Sequence, residues 1–136
     1  MLVIGRRYTF EAAHHLPYHD GHCQRLHGHS YKLEVEVTGE FSTNPSKLGM
    51  IMDYGDLDTI VKKHILDIVD HQDLNEALKY LDGETTAEHL AEAFFSMLFA
   101  AINNWQRTGV RQAQYNVQLY SVLVRETERS WAKVTA

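Results

Sequence analysis

The chain is poor in cysteine, proline and positive charge, and each shortage narrows what it can be. One cysteine in 136 residues, Cys23, cannot close an intramolecular disulfide, so its thiol is free and the fold must rest on a packed core. The only prolines, Pro17 and Pro45, sit at expected breaks between elements, and there is no repeat, low-complexity tract or long linker. Thirteen Lys and Arg against eighteen Asp and Glu leave a formal charge of −5. That balance argues against the clustered basic face that nucleic acid or an anionic membrane requires. No apolar run is long enough to span a bilayer. The opening MLVIGRRYTF places its charges after a short apolar stretch, unlike a secretory signal, and the expected address is cytoplasmic. With 44% hydrophobic and 23% charged residues, positions 1–136 read as one globular domain.

What the chain does have is histidine: nine in all, six of them between His14 and His29. The first segment, VIGRRYTFEAAHH, is strand-like, with Tyr8, Phe10, Ala12 and His14 sharing one face. After the loop LPYHDGHCQRL comes the clearest strand. His27, His29, Tyr31, Leu33, Val35 and Val37 alternate strictly with Gly28, Ser30, Lys32, Glu34, Glu36 and Thr38. A turn region around Pro45 and Gly49 leads to a short expected strand, MIMD. A helix is expected from about Asp56 to Val69, with Leu57, Ile60, Val61, Ile65 and Ile68 as its apolar stripe. The polar stretch DHQDLNEALKYLDGE reads as a loop. A second helix is expected near Ala87 to Trp105, with Thr85 and Glu88 at the spacing of a capping box and Gly109 beyond its end. YNVQLYSVLVRET is a strand apolar on both parities, and SWAKV pairs back as an edge strand. The order is β-β-α-α-β-β: an α+β domain, a four-stranded antiparallel sheet with two helices on one face. Its two open edges predict oligomerisation.

Residues two apart on a strand point the same way, so His27 and His29 offer two imidazoles that one metal ion can bridge. Strand parity makes His14 the third ligand, whereas a bulge would substitute His15. His19 and His22 read as exposed loop residues, and His64 and His89 as partly exposed helix positions. Three neutral imidazoles suit zinc and leave a fourth position for water or substrate, the pattern of a catalytic site. Cys23 as a fourth ligand would close the site and make it structural, a binding module without chemistry. The alternative use of the thiol is catalytic, with His71 keeping it partly ionised and Asp70 fixing that imidazole's tautomer. A covalent thiol hydrolase is a third possibility, but no nucleophile-elbow sequence supports it.

Taken in order, FEAAHHL, CQRLHGHSY, MDYGDL, VDHQDLN, TTAEHLA and VRETE resemble the 6-pyruvoyl-tetrahydropterin synthase and 6-carboxytetrahydropterin synthase family, over roughly residues 8 to 128. The resemblance implies the tunnelling fold, in which such subunits close their sheets into a barrel. It also implies a homohexamer of two stacked trimers with sites at subunit interfaces. His14, His27 and His29 match the family's zinc ligands, Cys23 its catalytic cysteine, and Asp70 and His71 the accompanying pair. Glu126 matches the residue that anchors the pterin, with Thr86 and Glu88 in the pterin-binding segment. The three residues between Cys23 and His27 look like the bacterial 6-carboxytetrahydropterin synthases of queuosine (7-deazaguanine) biosynthesis. These convert 7,8-dihydroneopterin triphosphate to 6-carboxy-5,6,7,8-tetrahydropterin, acetaldehyde and triphosphate. The alternative is the pyruvoyl-forming reaction on the same substrate. Arg25 and Lys32 are candidates for the triphosphate or plain surface charges. The stretch NNWQRTGVRQAQYN looks longer than is usual in the family, and the tail beyond Glu128 departs from its pattern.

Overall fold

The computed structural model describes residues 1–108 and 115–136. Strands β1 (Val3–His14) and β2 (His27–Gly39) form a long antiparallel ladder, running from Val3 opposite Thr38 to His14 opposite His27. β4 (Val117–Thr127) pairs with the other side of β2, and β5 (Ser130–Thr135) closes the far edge. A two-residue strand, β3 (Gln72–Asp73), lies parallel to β1 through Ala12 and Ala13. The sheet therefore has five strands in the order β3-β1-β2-β4-β5 and is mixed, where four antiparallel strands were expected. The extra strand comes from the polar stretch after the first helix, whose backbone groups find partners on the edge of β1.

The alternation seen in sequence sets the faces. Phe10, Tyr31, Leu33, Val35 and Val37 are buried, and the Phe10 and Tyr31 rings, register partners, stack at 4.8 Å. Each such burial contributes about 2 kcal/mol from area alone. On β4 the pattern changes parity. Leu119 opposes Val37 while Val122 opposes Val35, because a bulge intervenes between Glu36 and Val37. Part of the strand's apolarity on both parities is thus one core face switched between odd and even positions.

The helices cover that face. α1 spans Tyr54–Val61, continues through a wide π turn at Lys62–Leu66 and ends in α2 (Asp67–Val69). Asp53 is the cap, its side chain accepting from the Gly55 amide at 2.8 Å, so the helix starts ahead of the expected Asp56. The π turn rotates the stripe, leaving Val69 buried and Ile68 exposed. MIMD forms no strand, although Ile51 and Met52 are buried. α3 (Leu74–Ala77) follows β3 directly. α4 (Ala87–Thr108) buries Leu90, Ala91, Phe94, Leu98, Ala101 and Ile102 against the sheet. Its cap is Thr86, whose Oγ1 accepts from the His89 amide at 3.3 Å; Thr85 is engaged elsewhere. The expected stop at Gly109, and the middle of the long NNWQRTGVRQAQYN stretch, lie outside the described residues. Among the described residues no helix is long and apolar enough to cross a membrane.

Candidate metal centre and active site

The β1–β2 register assembles the site. His14 lies directly opposite His27, and His29 opposes Ala12, so the three imidazoles meet on the core face at the end of the ladder. Their ring centroids are 4.6 Å (His14–His27), 5.2 Å (His14–His29) and 5.0 Å (His27–His29) apart. One ring nitrogen from each lies within 4.8 Å of the others. His15 is turned out of this set. Its backbone amide and carbonyl are held by Asn75 at 3.0 and 2.9 Å.

The hydrogen bonds fix how two of the rings present themselves. The Nδ1 of His14 lies 2.8 Å from the Thr85 carbonyl oxygen, and that of His27 lies 2.7 Å from the Arg25 carbonyl oxygen. A carbonyl only accepts, so each Nδ1 carries the proton and donates, leaving Nε2 with a free lone pair. His14 is 1% exposed. Burial, aided by the neighbouring His27 and His29, pushes its pKa down to about 4 against the pull of the Thr85 carbonyl. Burial, then His27, lowers that of His29. Neutral rings with free lone pairs are what a divalent metal needs, so the donor set can hold such an ion.

Cys23 does not join this set. It sits half-buried on a single 3₁₀ turn, His22–Gln24, with its carbonyl accepting from the Leu16 amide at 2.8 Å. Among the described residues, the ligand atoms that converge are the three histidines' alone, which disfavours the closed four-ligand arrangement. Asp70 and His71 are paired at 3.0 Å, and the His71 side chain is 77% exposed. Its backbone adopts a left-handed φ of 60°, and the segment is pinned to β1: the Glu11 amide donates to Asp70 Oδ1 at 3.0 Å and the His71 amide to the Glu11 carbonyl at 2.6 Å. The Glu11 bond is the largest cause of the lowered Asp70 pKa. His71 and His29 line one groove of ≈500 Å³ with Glu11, Ser30 and Asp73. Among the described residues no hydrogen bond joins His71 to Cys23 within one chain.

Glu126 shares the core-facing parity of Val122 and Val124. Burial, then the charge of Glu88, raises its pKa, while His27 opposes the shift. The fold thereby brings Glu126 within electrostatic reach of Glu88 and His27. Lys32, on the opposite parity, is engaged by Glu128 at 2.6 Å. His19 and His22 are exposed, and His64 and His89 half-buried, as expected. Three neighbours of the site have no site role in the sequence reading: Tyr31, Asn75 and Thr85, the last read there only as a helix cap. The Tyr31 hydroxyl is buried without a partner among the described residues, and its ring lies 5.3 Å from His29 and 6.0 Å from His14. Its parity with His27 and His29 was the available signal.

Comparison with known proteins agrees with this geometry. A family model described as 6-pyruvoyl tetrahydropterin synthase matches residues 3–136. A 6-carboxy-5,6,7,8-tetrahydropterin synthase of Haemophilus influenzae is 39% identical over 116 residues, covering 72% of this chain and 82% of that protein. One of the same name from Synechocystis is 38% identical, covering 98% and 92%. The solved structure of Caenorhabditis elegans 6-pyruvoyl tetrahydropterin synthase superposes with a TM-score of 0.75 at 25% identity, over 99% of this chain and 95% of that one.

Proposed function

Because the chain belongs to the 6-pyruvoyl tetrahydropterin synthase family, we propose that it is a zinc-dependent 6-carboxytetrahydropterin synthase. It converts 7,8-dihydroneopterin triphosphate to 6-carboxy-5,6,7,8-tetrahydropterin, with release of acetaldehyde and triphosphate, for queuosine biosynthesis in the cytoplasm. The observation that carries the reading is the convergence of three imidazoles, two with Nδ1 committed to carbonyls, so that Nε2 is the nitrogen left for a ligand. The names of the Haemophilus and Synechocystis relatives support the carboxy-forming subtype.

His14, His27 and His29 would hold the zinc ion, whose Lewis acidity favours charge developing on the substrate's side-chain oxygens. Glu126 accepts two hydrogen bonds from the amino-pyrimidine edge and fixes the ring's orientation, with Thr86 and Glu88 beside it. Cys23, as thiolate, removes a carbon-bound proton from the side chain. His71 takes the thiol's proton on Nε2 and so stabilises the thiolate, while Asp70 accepts from the Nδ1–H of the same ring. The exposure of His71 and its lack of a bond to Cys23 fit a site completed between copies: the pair faces the thiol of a neighbouring subunit. The assembly is a homohexamer of two trimers. A monomer by sedimentation at micromolar concentration would contradict it.

The deciding experiment incubates zinc-loaded protein with 7,8-dihydroneopterin triphosphate and identifies the products. Acetaldehyde establishes the carboxy-forming reaction. A retained three-carbon side chain establishes the pyruvoyl-forming one, the second reading, which the likeness to the Caenorhabditis enzyme favours. No turnover with bound zinc would leave a non-catalytic zinc module.

A further inference from the structure

Two polar side chains behind the histidine cluster decide how its most buried ring presents itself. We propose that Asn75 and Thr85 are positioning residues that hold His14 in the Nδ1–H tautomer and aim its Nε2 at the metal. This rests on the reading of His14, His27 and His29 as metal ligands.

The argument is a chain of donors and acceptors, each fixed by the one before. The Asn75 amide closes on the backbone of His15, with Nδ2 2.9 Å from the His15 carbonyl oxygen and Oδ1 3.0 Å from the His15 nitrogen. Turning the amide over would set donor against donor and acceptor against acceptor, so its orientation is unambiguous. Its Oδ1 also lies 3.2 Å from the Thr85 hydroxyl. That oxygen only accepts, so Thr85 donates its single hydroxyl proton there. What Thr85 Oγ1 then presents to His14 Nδ1, 3.2 Å away, is a lone pair. The Thr85 carbonyl, 2.8 Å from the same nitrogen, offers another. With acceptors on both sides, Nδ1 must be protonated and Nε2 must carry the free lone pair. Thr85 is fully buried, so no water competes for its hydroxyl.

Asn75 also fixes position. It grips the backbone one residue after His14, where the β1–β2 ladder ends. The same short stretch is fastened to β1 at its other end, where Asp70 and His71 bond to Glu11. Segment 70–75 is therefore a clip along residues 11–15 that presents the Asp70–His71 pair and orients a metal ligand at once. Without the Asn75 amide, the Thr85 hydroxyl is free to turn its proton toward His14 Nδ1 and compete with the carbonyl bond, which weakens the preference for a free Nε2, where the metal binds.

The test uses three measurements on the full chain: zinc affinity by chelator competition, the absorption of the cobalt(II)-substituted protein, and the histidine ¹⁵N spectrum of the metal-free protein. Asn75→Ala and Thr85→Val should each weaken zinc binding by about 10–100-fold and change the cobalt spectrum. Thr85→Ser should restore both. His14 should be the Nδ1–H tautomer in the unaltered chain. If Asn75→Ala does not fold, the near-isosteric Thr85→Val decides. Unchanged zinc affinity and cobalt spectrum in Thr85→Val, or an Nε2–H tautomer at His14 in the unaltered chain, overturns the proposal. If the unaltered chain takes up no zinc, the metal reading itself fails, and the tautomer measurement then judges the relay separately.

Discussion

The two halves of the site are built in opposite ways. In the histidine cluster His14 is buried and His27 and His29 are half-buried; the three stand on facing strands of one hairpin, with the Nδ1 of His14 and of His27 committed to a backbone carbonyl. The Asp70–His71 pair is on the sheet's edge, with the His71 side chain 77% exposed, and Cys23 sits on a single turn between the strands. One half is complete within a chain. The other holds its parts ready without joining them. A metal site requires preset geometry because desolvated ligands have nowhere else to go. On the proposed reading, the Asp70–His71 pair would meet its partner only when copies assemble, and its exposure suits that meeting.

Removing His27 tests the contrast most severely. His27→Ala should lose bound metal on dialysis and all turnover together, read by metal analysis and product assay; retained stoichiometric zinc would separate the cluster from the metal. Cys23→Ala should keep its zinc and lose about 10²–10⁴-fold in rate. Zinc lost along with turnover would make the thiol a ligand after all. The same variant sharpens the comparison when co-assembled with His71→Ala: mixed oligomers should recover part of the activity if the two residues meet across copies, and none if they meet within one chain. Glu126→Ala should raise KM for the pterin by about 10–100-fold, as expected for loss of charge-assisted hydrogen bonds; unchanged KM and rate would remove Glu126 from the site.

The smallest effect is on pH dependence. His14 has its pKa lowered to about 4 by burial, against an ordinary 6.5, so the unfolded chain binds the proton first as pH falls. The stability contributed by the neutral buried ring is complete above about pH 6.5 and is lost as pH falls toward 4. Urea melts of metal-free protein across that window should show the decline, and His14→Gln should flatten it.

Much of this was legible in the chain because strand alternation and helical spacing are local signals. Alternation alone assigns the faces of Phe10 to His14 and of His27 to Val37, and the expected second helix near Ala87 to Trp105 is α4 to within a turn. The misreadings had tertiary causes. Gln72 and Asp73 look like loop because a two-residue strand has no pattern of its own and exists only through the edge of β1. Ile68 fits a straight helix, and only the π turn sends Val69 inward instead. Thr85 looks like a cap because its spacing to Glu88 is right, yet its hydroxyl serves His14 and Asn75, and Thr86 caps α4.

The sequence alone determined the ingredients: one free thiol, a set of histidines on matching strand parities, an acidic surface and the periodicities that build a two-layer domain. Tertiary structure alone decided that His14 faces His27 across the ladder, that Asn75 takes the His15 backbone, and that the Asp70–His71 pair is fastened to Glu11 on β1. Hairpin register and contacts between distant segments arise from packing a whole core at once, and no short stretch of residues encodes them by itself.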